Sequence, residues 1–201
     1  MVRFFSVFFI LYVKRIGVAI VSINRYSHSM SKIIIICGLA GTGKSTLARA
    51  LGKKLNIISL HKDDIKESLY EVLNMSSLEE SKKVGLASIT LLLSIAQEII
   101  NKQVDVIIES PFNFPDEYNL FETWATSPSL KLYTIICHIN HEERVHRIRS
   151  RERHRSHHDS EREIPSTEDS HQIYDKIPGK HIRLETNRDV DELVFEIISL
   201  L

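Results

Sequence analysis

The chain has 201 residues, of which 43% are hydrophobic and 26% are charged. This composition is that of an ordinary globular protein, and the length suits one domain with a sizeable core. The 26 basic and 26 acidic side chains cancel, so no overall electrostatic field favours nucleic acid or a membrane surface. Two cysteines exclude a disulfide framework, and we expect a protein of the reducing cytoplasm.

Residues 1–29 do not share the pattern of the rest of the chain. Two apolar runs lie there, separated by Lys14 and Arg15. Neither run is long enough to cross about 30 Å of hydrocarbon, and a span that joined them would place both charges in the membrane, at roughly 2.5–3.5 kcal/mol each. We expect Met30 to be the true start and 30–201 to form the domain, with a weak targeting or anchoring segment as the alternative.

A complete phosphate-binding motif follows the apolar run 33–37. It has the Walker A form G-x-x-x-x-G-K-[ST] and precedes a helical pattern. Glycines let the backbone N–H groups face an anion, and the N-terminus of the next helix adds partial positive charge. Lys44 is placed to neutralise the β- and γ-phosphates of ATP, and the Ser45 hydroxyl is placed to bind Mg²⁺. The predicted nucleotide-binding residues are Gly38, Leu39, Ala40, Gly41, Thr42, Gly43, Lys44, Ser45 and Thr46.

Strand and helix patterns alternate along the remaining chain. Apolar runs predict buried parallel strands at 33–37, 56–60, 104–109, 132–138 and 181–185. Helical patterns lie at 44–54, 64–73, 78–102, 142–153 and 189–201. The long third helix has a predicted apolar face formed by Leu86, Ile89, Leu92, Leu93, Ala96, Ile99 and Ile100. The alternation predicts an α/β fold with a doubly wound, parallel, five-stranded sheet that binds ligands at the carboxyl ends of its strands.

Acidic residues follow two of the predicted strands. Asp63 and Asp64 come after the second strand, where one carboxylate could accept the proton of an attacking hydroxyl and either could cap the next helix. We predict Asp63 as the base. Glu109 ends the third strand and is the predicted acid that orders Mg²⁺ through water, with a solvent-facing glutamate as the alternative.

Arg147 and Arg151 are four residues apart in the helical pattern 142–153, which would place both on one helix face. Two guanidinium groups there could contact a transferring phosphoryl group. The alternative is a solvated helix in which Glu142, Glu143 and Glu152 pair locally with arginines.

Five of the ten histidines lie between His141 and His158. A zinc site requires nitrogen or sulfur ligands at tetrahedral spacing, and no cysteine lies nearby. We therefore favour a mobile polar lid that closes over ATP. Residues 156–178 are predicted as a loop that could line an acceptor site.

In motif and element order, residues 31–201 resemble the small P-loop kinases. These include polynucleotide kinase, chloramphenicol phosphotransferase, gluconate kinase, zeta-toxin-type proteins and uncharacterised AAA-type ATP-binding members. The resemblance implies a P-loop NTPase fold with sheet order 2-3-1-4-5, a helical lid, and ATP and Mg²⁺ as cofactors. It also implies that Asp63 is the catalytic base, that Lys66 contacts the acceptor, and that Arg147 and Arg151 are lid arginines. Lysine stands where that family has arginine and cannot form its bidentate fork, so the acceptor stays open.

The predicted function is a cytoplasmic ATP-dependent kinase that transfers the γ-phosphate to a hydroxyl of a small-molecule or nucleotide-like acceptor. A nucleotide-dependent switch or accessory ATPase without an acceptor is one alternative. A 5′-hydroxyl nucleic-acid kinase is another, although the neutral net charge gives no strong nucleic-acid signal. We see no clear membrane partner, and the oligomeric state is open.

Cys37 and Cys137 lie near the ends of the first and fourth predicted strands. In the sheet order implied by the resemblance, these strands are neighbours about 4.8 Å apart. A disulfide beside the phosphate loop is therefore conceivable if the two Cβ vectors converge. We prefer two inert, buried thiols.

Overall fold

The structure is a computed structural model that describes residues 30–113, 115–158, 164 and 173–201. Its parallel sheet has the order β2-β3-β1-β4-β5. The strands are β1 (Ser31–Cys37), β2 (Ile58–His61), β3 (Val106–Glu109), β4 (Leu130–His138) and β5 (Lys180–Glu185). The predicted α/β fold, five strands and strand order are confirmed. Residues 1–29 lie outside the described residues, so the expectation about them stays a prediction.

Helices cover both faces of the sheet. They are α1 (Lys44–Leu55), α2 (Lys62–Val72), α3 (Leu78–Asn101), α4 (Tyr118–Ala125), α5 (His141–Ser150) and α6 (Val190–Leu200). Side chains of β1 alternate between two cores, with Ile33 and Ile35 packed against α3 and α4, and Ile34 and Ile36 packed against α1 and α6. This double burial explains why β1 is an unbroken apolar run.

The predicted apolar face of α3 is partly wrong, because Leu86 is 70% exposed. Small polar residues occupy buried positions of the helix instead, among them Ser81 and Ser88. The Ser88 hydroxyl donates to the Val84 carbonyl at 2.6 Å, so its burial leaves no unmatched donor. A pattern of apolar residues alone cannot show this.

By length and composition, α3 could also cross a membrane. Its buried side packs against the sheet, with Leu92 and Ala96 in the core. Core helices of globular proteins have the same composition, so this helix is accounted for by the fold.

The helices differ from the sequence prediction chiefly in one additional helix and one earlier helix end. Helix α4 was not expected, although Phe121 and Trp124 are buried on it, because eight residues give little periodic signal. Helix α5 ends at Ser150 instead of residue 153. Its last buried apolar residue is Ile148, and the exposed polar residues that follow provide no further core contact.

Candidate active site

The phosphate loop joins β1 to α1 and is shaped by three glycines. Gly38, Gly41 and Gly43 have φ angles of 142°, 87° and 79°. A Cβ on Gly38 would lie 2.4 Å from the carbonyl oxygen of Cys137, and one on Gly41 would lie 2.9 Å from atoms of Arg144. Only glycine fits these positions without strain. Because α1 begins at Lys44, its N-terminus faces the concave side of the loop, as anion binding requires.

Residues after β4 and β5 hold the loop from outside. The Thr186 hydroxyl donates to the carbonyl of Thr42 at 2.5 Å, and Arg147 Nη1 donates to the carbonyl of Thr186 at 3.2 Å. The same guanidinium would lie 3.6 Å from a Cβ on Gly43. Arg147 therefore lies beside the phosphate loop, and its Nε also pairs with Glu143 Oε1 at 2.9 Å, the local pairing that the alternative described. Thr186 directly follows β5, one of the strand ends where the fold places functional residues, but its contact with the loop carbonyl has no sequence motif.

Arg144 supports the loop from a fully buried position. Its Nη1 donates to the carbonyl of Ala40 at 3.4 Å. Burial lowers the pKa of this guanidinium. The ordinary pKa of an arginine is so far above neutral that the Arg144 guanidinium remains a cation beneath the loop.

Lys44 and Glu109 meet at the centre of the site. Lys44 Nζ lies 3.7 Å from Glu109 Oε1, and His61 Nδ1 lies 3.1 Å from Glu109 Oε2. Strand register brings these groups together, because β3 pairs Glu109 with His61 on one side and Ile36 on the other. Glu109 is 2% exposed, so the alternative of a solvent-facing glutamate is wrong. His61, whose Nε2 lies 3.0 Å from the Ser59 hydroxyl, fixes the carboxylate and was not predicted.

Asp63 and Asp64 occupy different environments. The N-cap of α2 is His61, so neither aspartate caps the helix as the alternative proposed. Asp64 is exposed and pairs with Arg49 at 2.6 Å. Asp63 instead faces two cations, with Oδ1 3.2 Å from Lys62 Nζ and Oδ2 2.5 Å from Arg153 Nη2.

These cations determine the charge of Asp63. Burial acts to raise the pKa of Asp63, but Lys62, Arg153 and Lys44 outweigh it and hold the pKa well below its usual range. Asp63 is therefore ionised at any physiological pH. It follows His61 at the end of β2 by two residues, and His61 is bonded to Glu109, which in turn lies against Lys44 of the phosphate loop.

The helix that was predicted to carry both lid arginines ends between them. Arg151 is the C-cap of α5, with extended φ and ψ of −96° and 140°. The chain leaves the helix at Arg151, three residues earlier than the predicted pattern. It is Arg153, not predicted as a site residue, that reaches back to Asp63.

Residues 153–158, which we name the strap, lie along one face of α2. Their contacts fall on α2 residues spaced three or four apart, as neighbours on a helix surface are. The contacts are Arg153 with Asp63, His157 with Glu67, His158 with the Tyr70 hydroxyl, and both His154 and Arg155 with Glu71. Docking on α2 thus accounts for most of the histidine cluster. The described residues contain no group of three metal-binding side chains, which gives the zinc alternative no support.

Lys66 lies beneath the strap. It is 2% exposed, and its Nζ donates to the Ser81 hydroxyl at 2.8 Å and to the carbonyl of Ser156 at 2.7 Å. The structure therefore joins Lys66 to α3 and the strap. Burial lowers the pKa of the neighbouring His157 to about 3, so that imidazole is neutral.

Cys37 and Cys137 lie in different cores. Strand pairing sets Cys37 beside Ile136, so Cys137, one residue further along β4, faces the other side of the sheet. Convergent Cβ vectors are excluded, and burial raises the pKa of Cys137 to about 12. Both thiols are free and buried, in agreement with the preferred prediction.

A family model described as AAA domain matches residues 33–172, well over half of the sequence. The chain belongs to this family. A comparison with curated protein sequences finds no significant match.

Solved structures share the fold over most of the chain. A protein from Chloroflexus aurantiacus described as a candidate kinase is 26% identical, with a TM-score of 0.69 over 86% of this chain and 100% of its own. A shikimate kinase from Bacteroides thetaiotaomicron is 15% identical, with a TM-score of 0.55 over 86% and 98%. An APS kinase from Mycobacterium tuberculosis, in complex with AMPPNP and APS, is 17% identical, with a TM-score of 0.53 over 86% and 98%. The fold is that of the small P-loop kinases.

Proposed function

We propose that the chain is an ATP-dependent kinase that transfers the γ-phosphate of ATP to a hydroxyl of a small-molecule acceptor. The observation that carries the proposal is Asp63, an ionised carboxylate that follows β2 by two residues, beside the His61–Glu109–Lys44 contacts at the phosphate loop. A nucleotide switch needs a phosphate loop and an acid for Mg²⁺, the role assigned here to Glu109, but no second carboxylate to accept a proton from an acceptor. A kinase needs both, because the attacking hydroxyl must be oriented and deprotonated.

The site has two sides across the sheet. Arg147 and Thr186 follow β4 and β5 and flank the phosphate loop. Asp63 and Lys62 follow β2, at the opposite end of the strand order. We assign ATP to the first side and the acceptor to the second, with the transferred phosphoryl group between Lys44 and Asp63.

The residues at the loop fit a bound Mg²⁺. Ser45 is half-buried in the first turn of α1, and the buried Glu109 lies against Lys44. Mg²⁺ takes few protein ligands when phosphate oxygens and water supply the others, so the Ser45 hydroxyl would bind it directly and Glu109 through water. When bound, the ion would neutralise charge on the phosphate oxygens.

The protein side chains then have distinct roles. Lys44 and the loop N–H groups bind the β- and γ-phosphates, and Arg147 adds positive charge at the same loop. Asp63 is a weak base because its pKa is depressed, so its first role is to orient the acceptor hydroxyl. It takes the proton once the oxygen–phosphorus bond has begun to form. A carboxylate has about four lone-pair sites, so Asp63 can accept that hydroxyl while it contacts Lys62 and Arg153.

Release of ADP from Mg·ATP tests the proposal. The full chain is assayed alone, with mixtures of small hydroxylated acceptors, and with a 5′-hydroxyl oligonucleotide. A kinase releases ADP faster with an acceptor, and Asp63→Asn loses the stimulation while Asp64→Asn, the matched control, keeps it. Basal hydrolysis that no acceptor changes would instead support a nucleotide switch. Stimulation by the oligonucleotide alone would support a nucleic-acid kinase.

A further inference from the structure

The outward side of α3 is an apolar surface that neither the sheet nor the kinase site accounts for. On the inward side of this 24-residue helix, Leu92 packs into the core. On the outward side Leu86 is largely exposed, and Leu91 and Ile95 are each 43% exposed. The run 84–97 contains no charged residue, whereas the solvent side of a surface helix usually carries charges. A contiguous surface of this kind, which we name the outward face, indicates a contact with another molecule.

The two hydroxyl groups on the outward face do not depend on water for a hydrogen-bond acceptor. The Thr90 hydroxyl donates to the carbonyl of Leu86 at 3.1 Å, and the Ser94 hydroxyl donates to the carbonyl of Thr90 at 2.9 Å. The buried Ser88 satisfies its own hydroxyl in the same way, through the carbonyl four residues earlier. A second helix can therefore cover the outward face without leaving a hydroxyl donor unmatched.

Charges at the two ends of the outward face favour a second copy of the same helix. Lys83 lies near the N-terminal end of α3 and Glu98 near the C-terminal end, and both are exposed. Their midpoint falls between Thr90 and Leu91, in the middle of the uncharged run. Antiparallel pairing about that midpoint sets each Lys83 beside Glu98 of the other copy. Parallel pairing in register would instead set like charges against each other.

A second pair of charges has the same midpoint. Glu79 pairs with Lys83 at 2.8 Å within its own helix, and Lys102 is the exposed C-cap at the other end. Antiparallel pairing therefore also brings the end that carries Glu79 to the end that carries Lys102. An ammonium has three donors, so Lys83 can keep its contact with Glu79 while it contacts Glu98 of the second copy.

We propose that the outward face of α3 is the interface of a homodimer, in which two copies of the helix pack antiparallel about a two-fold axis between Thr90 and Leu91. Such a contact is isologous, since the same surface serves both copies. Ala87, Thr90 and Ser94 have small side chains, which let the helix axes approach closely. The strap contacts the N-terminal part of α3 through Ser81, so the two straps lie at opposite ends of the paired helices. The dimer does not depend on the proposed kinase activity.

Sedimentation of the full chain across the micromolar range measures the association. Leu91→Glu places a carboxylate beside its own symmetry mate, and we expect the dimer Kd to rise by at least about tenfold. The matched control is Phe195→Glu, which changes an exposed apolar residue on α6, against the opposite face of the sheet; its Kd should match that of the wild type. Circular dichroism should show the wild-type helix content in both variants.

Charge reversal tests the antiparallel arrangement. Lys83→Glu and Glu98→Lys each set like charges together at both ends of the pair, and each should raise its own dimer Kd by about fivefold. When the two variants are mixed, opposite charges meet again at both ends, so a heterodimer should form with nearly the wild-type affinity. Both positions are exposed, so neither substitution should disturb the fold. Added NaCl should reduce these differences.

Four outcomes would overturn the proposal. The first is a full chain that stays monomeric throughout the concentration range. The second is association that Leu91→Glu leaves unchanged, because another part of the chain, such as residues 1–29, would then carry it. The third is binding of the monomer to phosphatidylcholine vesicles that Leu91→Glu abolishes, which would assign the outward face to a membrane. The fourth is a mixture of the two charge variants that associates no more tightly than either alone, which would reject the antiparallel arrangement.

Discussion

The phosphate loop and the strap lie at the same edge of the sheet but are held by different forces. Steric limits shape the loop, since glycine backbones pass where no Cβ fits, and a hydrogen bond from Thr186 fixes its carbonyl at Thr42. The strap is held by exposed ion pairs with Glu71 and by buried hydrogen bonds from Lys66 and Ser81 to the carbonyl of Ser156. The loop should therefore be formed before ATP arrives, whereas salt or competing charges weaken the exposed contacts of the strap.

This difference suits the two tasks of the site. Phosphate binding requires fixed dipoles, which a rigid backbone provides without reorganisation. Acceptor entry and product release require a cover that opens, and weak ion pairs allow this at little cost. Arg153 joins the two tasks, since it lies on the strap and contacts Asp63.

The largest expected effect comes from a substitution in the phosphate loop. Lys44→Ala removes the main side-chain cation for the phosphates, and we expect turnover to fall by roughly 10²–10³-fold or more, with weaker ATP binding. Calorimetry and ADP release measure the two effects. Lys53→Ala, at the other end of the same helix, is the control. Wild-type affinity and turnover in Lys44→Ala would contradict the assignment of the loop.

The second effect concerns Asp63, the carboxylate that we assign to the acceptor hydroxyl. Asp63→Asn removes the proton acceptor and should lower acceptor phosphorylation by about 10²-fold, the low end for a general base because the pKa of Asp63 is depressed. Since Asp63 pairs with Lys62 and Arg153 and does not cap α2, a small decrease in melting temperature should accompany this loss. Asp64→Asn should keep its activity. An inactive Asp64→Asn beside an active Asp63→Asn would reverse the assignment.

The loop could be predicted from the sequence because its determinants are local. Glycine spacing, the apolar run before it and the helical pattern after it all lie within 33–54, and the structure places each as expected. Glu109 could be predicted in the same way, because the carboxyl ends of parallel strands meet at one edge.

The strap could not be predicted because its contacts join residues far apart in sequence. Arg153 contacts Asp63 across 90 positions, and His157 contacts Glu67 across the same separation. The helix predicted over 142–153 also extends past Ser150, where α5 ends. The prediction therefore placed Arg147 and Arg151 on one helix and gave Arg153 no role. Burial of Lys66 and Glu117 likewise depends on packing between elements, which leaves no signal in local periodicity.

The third effect tests the buried carboxylate of Glu117, in the turn after β3, through stability. The pKa of Glu117 is about 7 in the folded chain, against an ordinary value of 4.5. The folded state therefore holds this proton more tightly, so wild-type stability falls as pH rises from about 4.5 through 7 and then levels off. Lys62 and Asp116 are the charged groups that act on it. We expect Glu117→Gln to be more stable than the wild type above pH 8, by on the order of 2 kcal/mol, and equal to it near pH 4.

Urea unfolding at pH 4, 6 and 8 measures that difference. Asp116→Asn, which changes an exposed carboxylate, should track the wild type at each pH. A stability difference that does not change with pH would show that Glu117 ionises normally in the folded chain.

The smallest expected effect comes from a substitution in the strap. Arg153→Gln removes the contact with Asp63, and we expect about a tenfold loss in kcat/KM for the acceptor with little change in ATP affinity. Arg151→Gln is the matched control, since Arg151 lies beyond the end of α5; its acceptor kcat/KM should change less than twofold. A larger loss in Arg151→Gln than in Arg153→Gln would restore the arginine pair that the sequence predicted.

Hydrogen exchange shows whether the two regions are held as differently as their contacts indicate. Ion pairs at partly exposed positions weaken with salt, while steric constraints and buried backbone hydrogen bonds do not. Raising NaCl to about 0.5 M should therefore speed amide exchange in residues 153–158, and Arg153→Gln should reproduce part of that change at low salt. Residues 38–45 should exchange at the same rate in every condition. Faster exchange of the loop together with the strap would show that the two regions open as one unit.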